Sequence, residues 1–288
     1  MALLSPHLLE TISELKTYLK VTGSTDQEII TDLANDAYGQ MCAWTDQELA
    51  SATHREMLNG TGRASWRVTH RPITELVSID LEDEAAVTLA SVGTMSAFSS
   101  SGVTCTAGGT FTGRTRSVFD FTVGTGGALG SASVTAAWTS SYGRSGTIAL
   151  NATATAYTVT HGLTVTTPSS GTLVAGETAS VTVDSTVVRF DEDHIKFIDG
   201  GTVFTKGTQN VNVVYVGGYN STDYPNEYQS LKRVLFELVG VGLKRYQDGF
   251  ATDQVQRIGG ATGGFVAYSL DDLRPDSRRT LMKFRRVA

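Results

Sequence analysis

Only two cysteines and five prolines occur among the 288 residues. Cys42 and Cys105 lie far apart, with no CxxC or Cys/His spacing. That excludes a disulfide framework and a zinc site, and leaves two reduced, buried thiols as the expectation. No run of eighteen apolar residues is present, so no membrane-spanning helix is expected. A secretion signal is also missing: residues 1–4 are apolar, but Pro6 follows, no basic residue precedes it, and Glu10 and Glu14 come early. The chain reads as soluble and made in a reducing cytoplasm. Its net charge of −6 excludes a uniformly basic nucleic-acid coat.

The most informative scarcity is local. Residues 85–176 carry four charged side chains in 92 positions: Arg114, Arg116, Asp120 and Arg144. Ser, Thr and Gly fill 47 of those 92, while the other 196 residues hold 48 of the 52 charges, an ordinary density for a globular domain. One kind of sequence interrupts another.

What surrounds the interruption begins as helix. Ser5-Pro6 reads as a cap followed by proline at the first helical position, and Leu8, Ile12, Leu15 and Leu19 supply an apolar face over 6–20. Thr25-Asp26-Gln27-Glu28 and Thr45-Asp46-Gln47-Glu48 each fit a capping box, predicting one helix through Ile30, Leu33, Ala37, Tyr38 and Met41, and another through Leu49 and Met57. Residues 64–81 then change to strand period, kinked at Arg71-Pro72. The acidic run Asp80–Glu84 reads as a solvated turn.

Inside the interruption, segments 118–123, 133–138, 156–160, 163–166 and 179–183 fit short strands separated by Gly-rich turns. Their spacing predicts an all-β, Ig-like sandwich over 85–186. Thr suits it because β-branching favours a pleated strand while the hydroxyl faces water. Exposed Trp138, Tyr142 and Tyr157 would be its candidate platform for a sugar ring; the alternative is that they are core.

Normal charge density returns near Asp184. Asp191-Glu192-Asp193-His194 is the best-looking metal cluster, but counting from Asp191 an EF-hand would need Gly and Glu where Lys196 and Thr202 stand, so a turn between strands is expected. Residues 195–198, 203–204 and 211–216 read as strands, and Pro225 opens a long helix. Its stripe of Leu231, Val234, Leu235, Leu238, Gly242 and Tyr246 faces a packing partner, with Lys232, Arg233, Lys244 and Arg245 on other faces. Gly240 and Gly242 inside the helix suggest close approach of another helix or subunit, or a break in the helix. From Arg274 to Ala288 the chain nets +5. With that tail and the +2 of residues 85–176 set aside, the net −6 leaves −13 on the rest. A basic tail interleaved with Leu281, Met282 and Phe284 suits an acidic partner; a solvated tail or phosphate contact are the other readings.

Nothing in the sequence reads as catalytic. HExxH, GxSxG and GxxxxGK[ST] are absent, and the five histidines are scattered. No enzyme, cofactor or metal is expected.

The outer frame, residues 8–82 plus 186–250, resembles the head–tail connector (adaptor) family of tailed bacteriophages. The match rests on the order of several pieces. These are Leu15–Lys20 before an acidic helix; Asn59-Gly60-Thr61-Gly62 leading into 66–79; and Val213-Val214-Tyr215-Val216-Gly217-Gly218-Tyr219 feeding a helix opened by Pro225 and ending Leu243-Lys244-Arg245-Tyr246. The resemblance implies a mostly helical adaptor domain with a small β-sheet, α+β in class, over 1–84 plus 187–288, with the sandwich inserted. It also implies a virion protein of the neck: a ring, typically twelve-fold, under the portal protein, extending a channel for double-stranded DNA and offering a platform to a tail or stopper protein. Under that resemblance Arg274, Arg278, Arg279, Lys283, Phe284, Arg285 and Arg286 would dock on the portal. Leu231, Leu235, Leu238, Gly242 and Tyr246 would pack against neighbouring identical subunits. Two other classes stay open, a surface-adhesion or decoration protein acting through the sandwich and a tail or baseplate component.

Overall fold

The computed structural model describes residues 7–9, 11–22, 27–81, 87, 89–131, 133–247 and 269–285. Contacts group Met1–Ala52, Thr69–Arg71 and Gly218–Ala288 into one unit, and Thr53–Val68 with Pro72–Gly217 into a second.

The first unit is helical: α1 (Ile12–Leu19), α2 (Gln27–Thr45), α3 (Pro225–Gln247) and α4 (Pro275–Met282). Along α2, Ile30, Leu33, Ala34, Ala37, Tyr38 and Met41 recur at helical spacing and are buried. They share a core with Leu15 of α1 and with Tyr228, Leu231, Val234, Leu235 and Leu238 of α3. An Asx turn sets up α3, in which Asn220 Oδ1 accepts from the N–H groups of Thr222 at 2.9 Å and Asp223 at 2.7 Å.

The helix expected after Thr45 does not form. Thr45 ends α2 instead of capping a new one, because its Oγ1 donates back to the Met41 carbonyl at 2.9 Å. Asp46 then takes a left-handed φ of 54° and stops the helix. The chain resumes as strand β1 (Ala52–Leu58), in which exposure alternates residue by residue from Ala52 to Met57. Strand pairing outweighed a helix-compatible local pattern.

In the second unit, β1 joins β3 (Ile73–Leu81) and β16 (Val211–Gly217) in the order β1-β16-β3. The antiparallel register sets Val211 opposite Leu81 and Val213 opposite Ile79, so the period of two puts all four on one buried face. A second small sheet holds β14 (Val188–Phe190), β15 (His194–Phe197) and β2 (Ser65–Arg67), in that order. Both sheets feed a core that includes Phe190, Ile195, Phe197, Phe204 and Tyr215.

A separate core is made wholly by residues between Met95 and Val183. One sheet runs β4-β13-β6-β8-β9, with β4 at Ser91–Val92, β6 at Ser117–Thr125, β8 at Thr135–Ser140, β9 at Ser145–Ala149 and β13 at Thr178–Asp184. Opposite it stand β10 (Ala156–Thr160), β11 (Leu163–Thr166) and β5 (Thr106–Gly108), while β7 (Gly127–Ala128) pairs with β12 (Thr172–Leu173). Along β6, Phe119, Phe121 and Val123 are buried while Val118, Asp120 and Thr122 are exposed, which is the alternation of a sheet with one face in a core. These side chains meet Leu163 and Val165 of the facing sheet.

Strand amounts to 33% of the described residues and helix to 25%. The expectation of a mostly helical frame with a small sheet is therefore corrected: the protein is mostly β. Two causes account for the difference. The stretch after Thr45 is strand, and β14 has only three residues, too short for any periodicity to reveal.

Candidate docking surface

Within the basic segment, Pro275–Met282 forms α4 of the helical unit. A 3₁₀ turn at Leu270–Asp272 precedes it, capped by Ser269, whose N–H donates to Asp272 Oδ2 at 2.7 Å while its Oγ accepts from the Asp271 N–H at 3.3 Å. Pro275 occupies the first turn of α4, and the N-cap residue Arg274 makes no side-chain cap. Glu237, reaching over from α3, supplies the cap: its carboxylate accepts from the Arg274 N–H at 2.6 Å and from Ser277 Oγ at 2.5 Å. A carboxylate placed there also meets the positive end of the helix dipole. At the other end Leu281 is fully buried, and Phe284 packs edge-on against Tyr219 with ring centroids 5.0 Å apart. The Phe284 carbonyl accepts from Gln47 Nε2 at 2.7 Å.

This anchoring turns the cations outward. The Arg274 side chain is 84% exposed, with its Nε 3.9 Å from Glu237. Arg278 donates to Asp271 at 2.7 Å, and Arg279, Lys283 and Arg285 are exposed. Arg286 lies outside the described residues. Phe284 differs from its basic neighbours in being half-buried against this chain's own core. The sequence pattern did not reveal Glu237 as the residue that fixes the helix, because a lone glutamate on a helix carries no sign of what it faces.

The α3 stripe is placed differently from the tail. Leu231, Leu235 and Leu238 are completely buried among α1, α2 and α3 of the same chain, and Gly242 is buried too. Tyr246 is the member left at the surface, 48% exposed. A Cβ at Gly240 would sit an ordinary 3.6 Å from Leu19 Cδ2, so α1 lies over that glycine without requiring it. Lys232, expected on a face other than the stripe, is buried: its Nζ donates to Glu14 Oε1 at 2.7 Å and lies 5.8 Å from the centre of the Tyr228 ring.

Other candidates resolve into structure. Asp191, Asp193 and His194 do come close enough to hold an ion. Asp191 Oδ1, however, accepts the N–H groups of Asp193 at 3.1 Å and His194 at 2.8 Å, and Arg67 pairs with Asp193 at 3.1 Å, which makes a hydrogen-bonded turn between β14 and β15. Trp138 is buried in the sandwich core, and a Cβ on Gly146 would lie 2.8 Å from its indole, so backbone covers the ring. Tyr157 has its hydroxyl bound to the Ala152 N–H at 2.6 Å. Burial pushes the Cys105 thiol up to about 11 and also raises that of Cys42, which makes both poor nucleophiles. Among the described residues no helix is long and apolar enough to cross a membrane.

The sequence matches no family model and no curated protein. Solved structures are similar along the whole chain. One is a chain of the neck of an empty GTA particle computed with C6 symmetry (TM-score 0.43, 10% identity, 100% of this chain and 94% of that one). Another is a chain of the virion of a native gene transfer agent particle (TM-score 0.42, 12% identity, again 100% and 94%).

Proposed function

We propose that this protein is a non-enzymatic structural component of a phage-type virion neck, a head–tail connector, with residues 85–186 as an inserted domain. Copies of the chain form a ring, twelve-fold in the adaptor family it resembles, that sits under a portal protein, receives a tail or stopper protein and lets double-stranded DNA pass. The observation that carries this reading is the outward cationic surface of α4 and its two ends, made by Arg274, Arg278, Arg279, Lys283 and Arg285 on a segment locked to the core by Glu237, Leu281 and Phe284. A rigid basic face on a chain that is acidic elsewhere fits the carboxylates of a portal rim, and guanidinium–carboxylate pairs give such docking its direction. The acidic remainder suits a channel that repels phosphate, so DNA slides without sticking.

Electron microscopy of the purified protein, alone and with a portal, tests the ring; the absence of rings from both preparations overturns it. Replacing Arg278, Arg279, Lys283 and Arg285 with Ser tests the docking face. These side chains are exposed, so the fold should persist while portal attachment is lost. Normal attachment of that variant refutes the docking role.

A further inference from the structure

The inserted sandwich enters the frame after Leu81, at the end of β3, and returns between Asp184 and Val188. A body held at two chain crossings keeps a rotation about the line joining them. A third contact stands elsewhere on β3, at Glu75 and Leu76, about 17 Å from Leu81 at ~3.3 Å per residue. There the Leu76 N–H donates to the Thr112 carbonyl at 2.8 Å, and the Thr112 N–H to the His161 carbonyl at 3.0 Å. The Glu75 carboxylate pairs with His161 Nδ1, and Thr112 Oγ1 donates to its other oxygen at 3.3 Å.

The site is built for close approach. The His161 side chain is only 3% exposed. The residue holds a left-handed φ of 46°, unusual for a non-glycine, at the turn between β10 and β11. A Cβ on Gly113 would come within 2.8 Å of the imidazole, and one on Gly162 within 2.0 Å of the Thr110 carbonyl oxygen, so these glycines admit the hairpin. The Phe111 ring meets the imidazole edge-on at 6.1 Å. The charged group nearby is Arg144, which donates to Thr160 Oγ1 at 2.7 Å and favours the ionised carboxylate. The hydrogen bond from His161 holds the Glu75 carboxyl below its usual range, so it is charged at neutral pH.

We infer that the Glu75–His161 pair, with Thr112 between them, is a latch that fixes the orientation of the inserted sandwich on strand β3. Closed, it makes the sandwich one rigid piece with the β1-β16-β3 sheet of the same unit; open, the sandwich swings on its two chain connections. Such a latch does not depend on the connector reading.

Hydrogen exchange and small-angle scattering of the full-length protein test it. His161→Asn suits the purpose, since asparagine tolerates a left-handed φ but is too short to replace the ring. The expected result is exchange of the Leu76 and Thr112 amides faster by about tenfold or more, the effect of losing one charge-assisted hydrogen bond on a local opening. Protection in β6 and β16 should be unchanged, and the radius of gyration larger. Glu75→Gln keeps an acceptor for the imidazole N–H and should give a smaller increase. Unchanged exchange at Leu76 and Thr112 in His161→Asn overturns the latch. So does a uniform loss of protection that includes β6 and β16, since the pair would then be a general stabiliser.

Discussion

The helical unit and the sandwich whose core lies between Met95 and Val183 bury apolar surface in opposite ways. In α2 and α3 the stripes are Leu, Ile, Val and Tyr at three- and four-residue spacing, and charged side chains fill the remaining faces. In the sandwich, β6 and β13 bury every second residue, with Val118, Asp120 and Thr122 on the other face of β6 and Thr178, Ser180 and Thr182 on that of β13. The first surface can recognise a partner by charge at a distance; the second is nearly neutral and offers shape and hydroxyl groups. Buried charges differ as well. In the helical unit Lys232 is matched by an opposite charge, Glu14. In the sandwich Glu177 is held by backbone. Burial opposes its ionisation, yet the N–H groups of Ser101 at 2.8 Å and Val174 at 2.7 Å hold its carboxyl below the usual range.

The largest test of this comparison is Phe119→Ala. The ring is fully buried and packs near Phe111 and Trp138 with centroids 5.7 Å and 6.0 Å away, so its loss should cost about 3–5 kcal/mol. If the cores are thermally independent, calorimetry will show one transition falling while the helical signal at 222 nm melts where it did before. A common shift of both would show one cooperative fold.

Glu237→Ala acts on the other side. Two hydrogen bonds to the start of α4 disappear, at a cost of about 1–2 kcal/mol. Exchange at the first amides of α4 should rise, and portal attachment should weaken with every arginine still in place.

Asp36→Asn should stabilise. Burial, and then the neighbouring Asp32, push the Asp36 carboxyl up to about 6, above its value in the unfolded chain. Its contribution is therefore complete below the ordinary carboxylate range and is lost as pH rises through 6. At pH 7.5 the variant should gain about 0.5–1 kcal/mol after solvent screening, and at pH 4 nearly nothing. Urea unfolding at the two values checks it. The smallest effect is Gly240→Ala, which fits beside Leu19 and should add at most about 0.8 kcal/mol by helix propensity, read as a rise in the helical transition alone.

Much of this was legible in the chain. Where a period ran for five residues or more and the burial was one-sided, as in α2, α3, β6, β13 and β16, sequence and structure agree, whereas the helix expected from Pro6 begins only at Ile12. Agreement failed after Thr45, where a good capping box competes with a strand whose partner lies more than 150 residues away. At the candidate surface the basic residues were visible as composition. Their anchors were not, because Glu237, Gln47 and Tyr219 gain meaning only from what folding sets beside them.

The sequence by itself determined that two differently built regions share one chain, since charge density and hydrophobic period are properties of the residues alone. It also determined that the last segment is basic. Tertiary structure alone decided that Leu231, Leu235 and Leu238 belong to this chain's core, that α4 presents its cations outward, and that His161 reaches Glu75. Each of those depends on which side chain is brought against which across about 40 to more than 200 residues, and the energy of such a contact is set by its burial and partners.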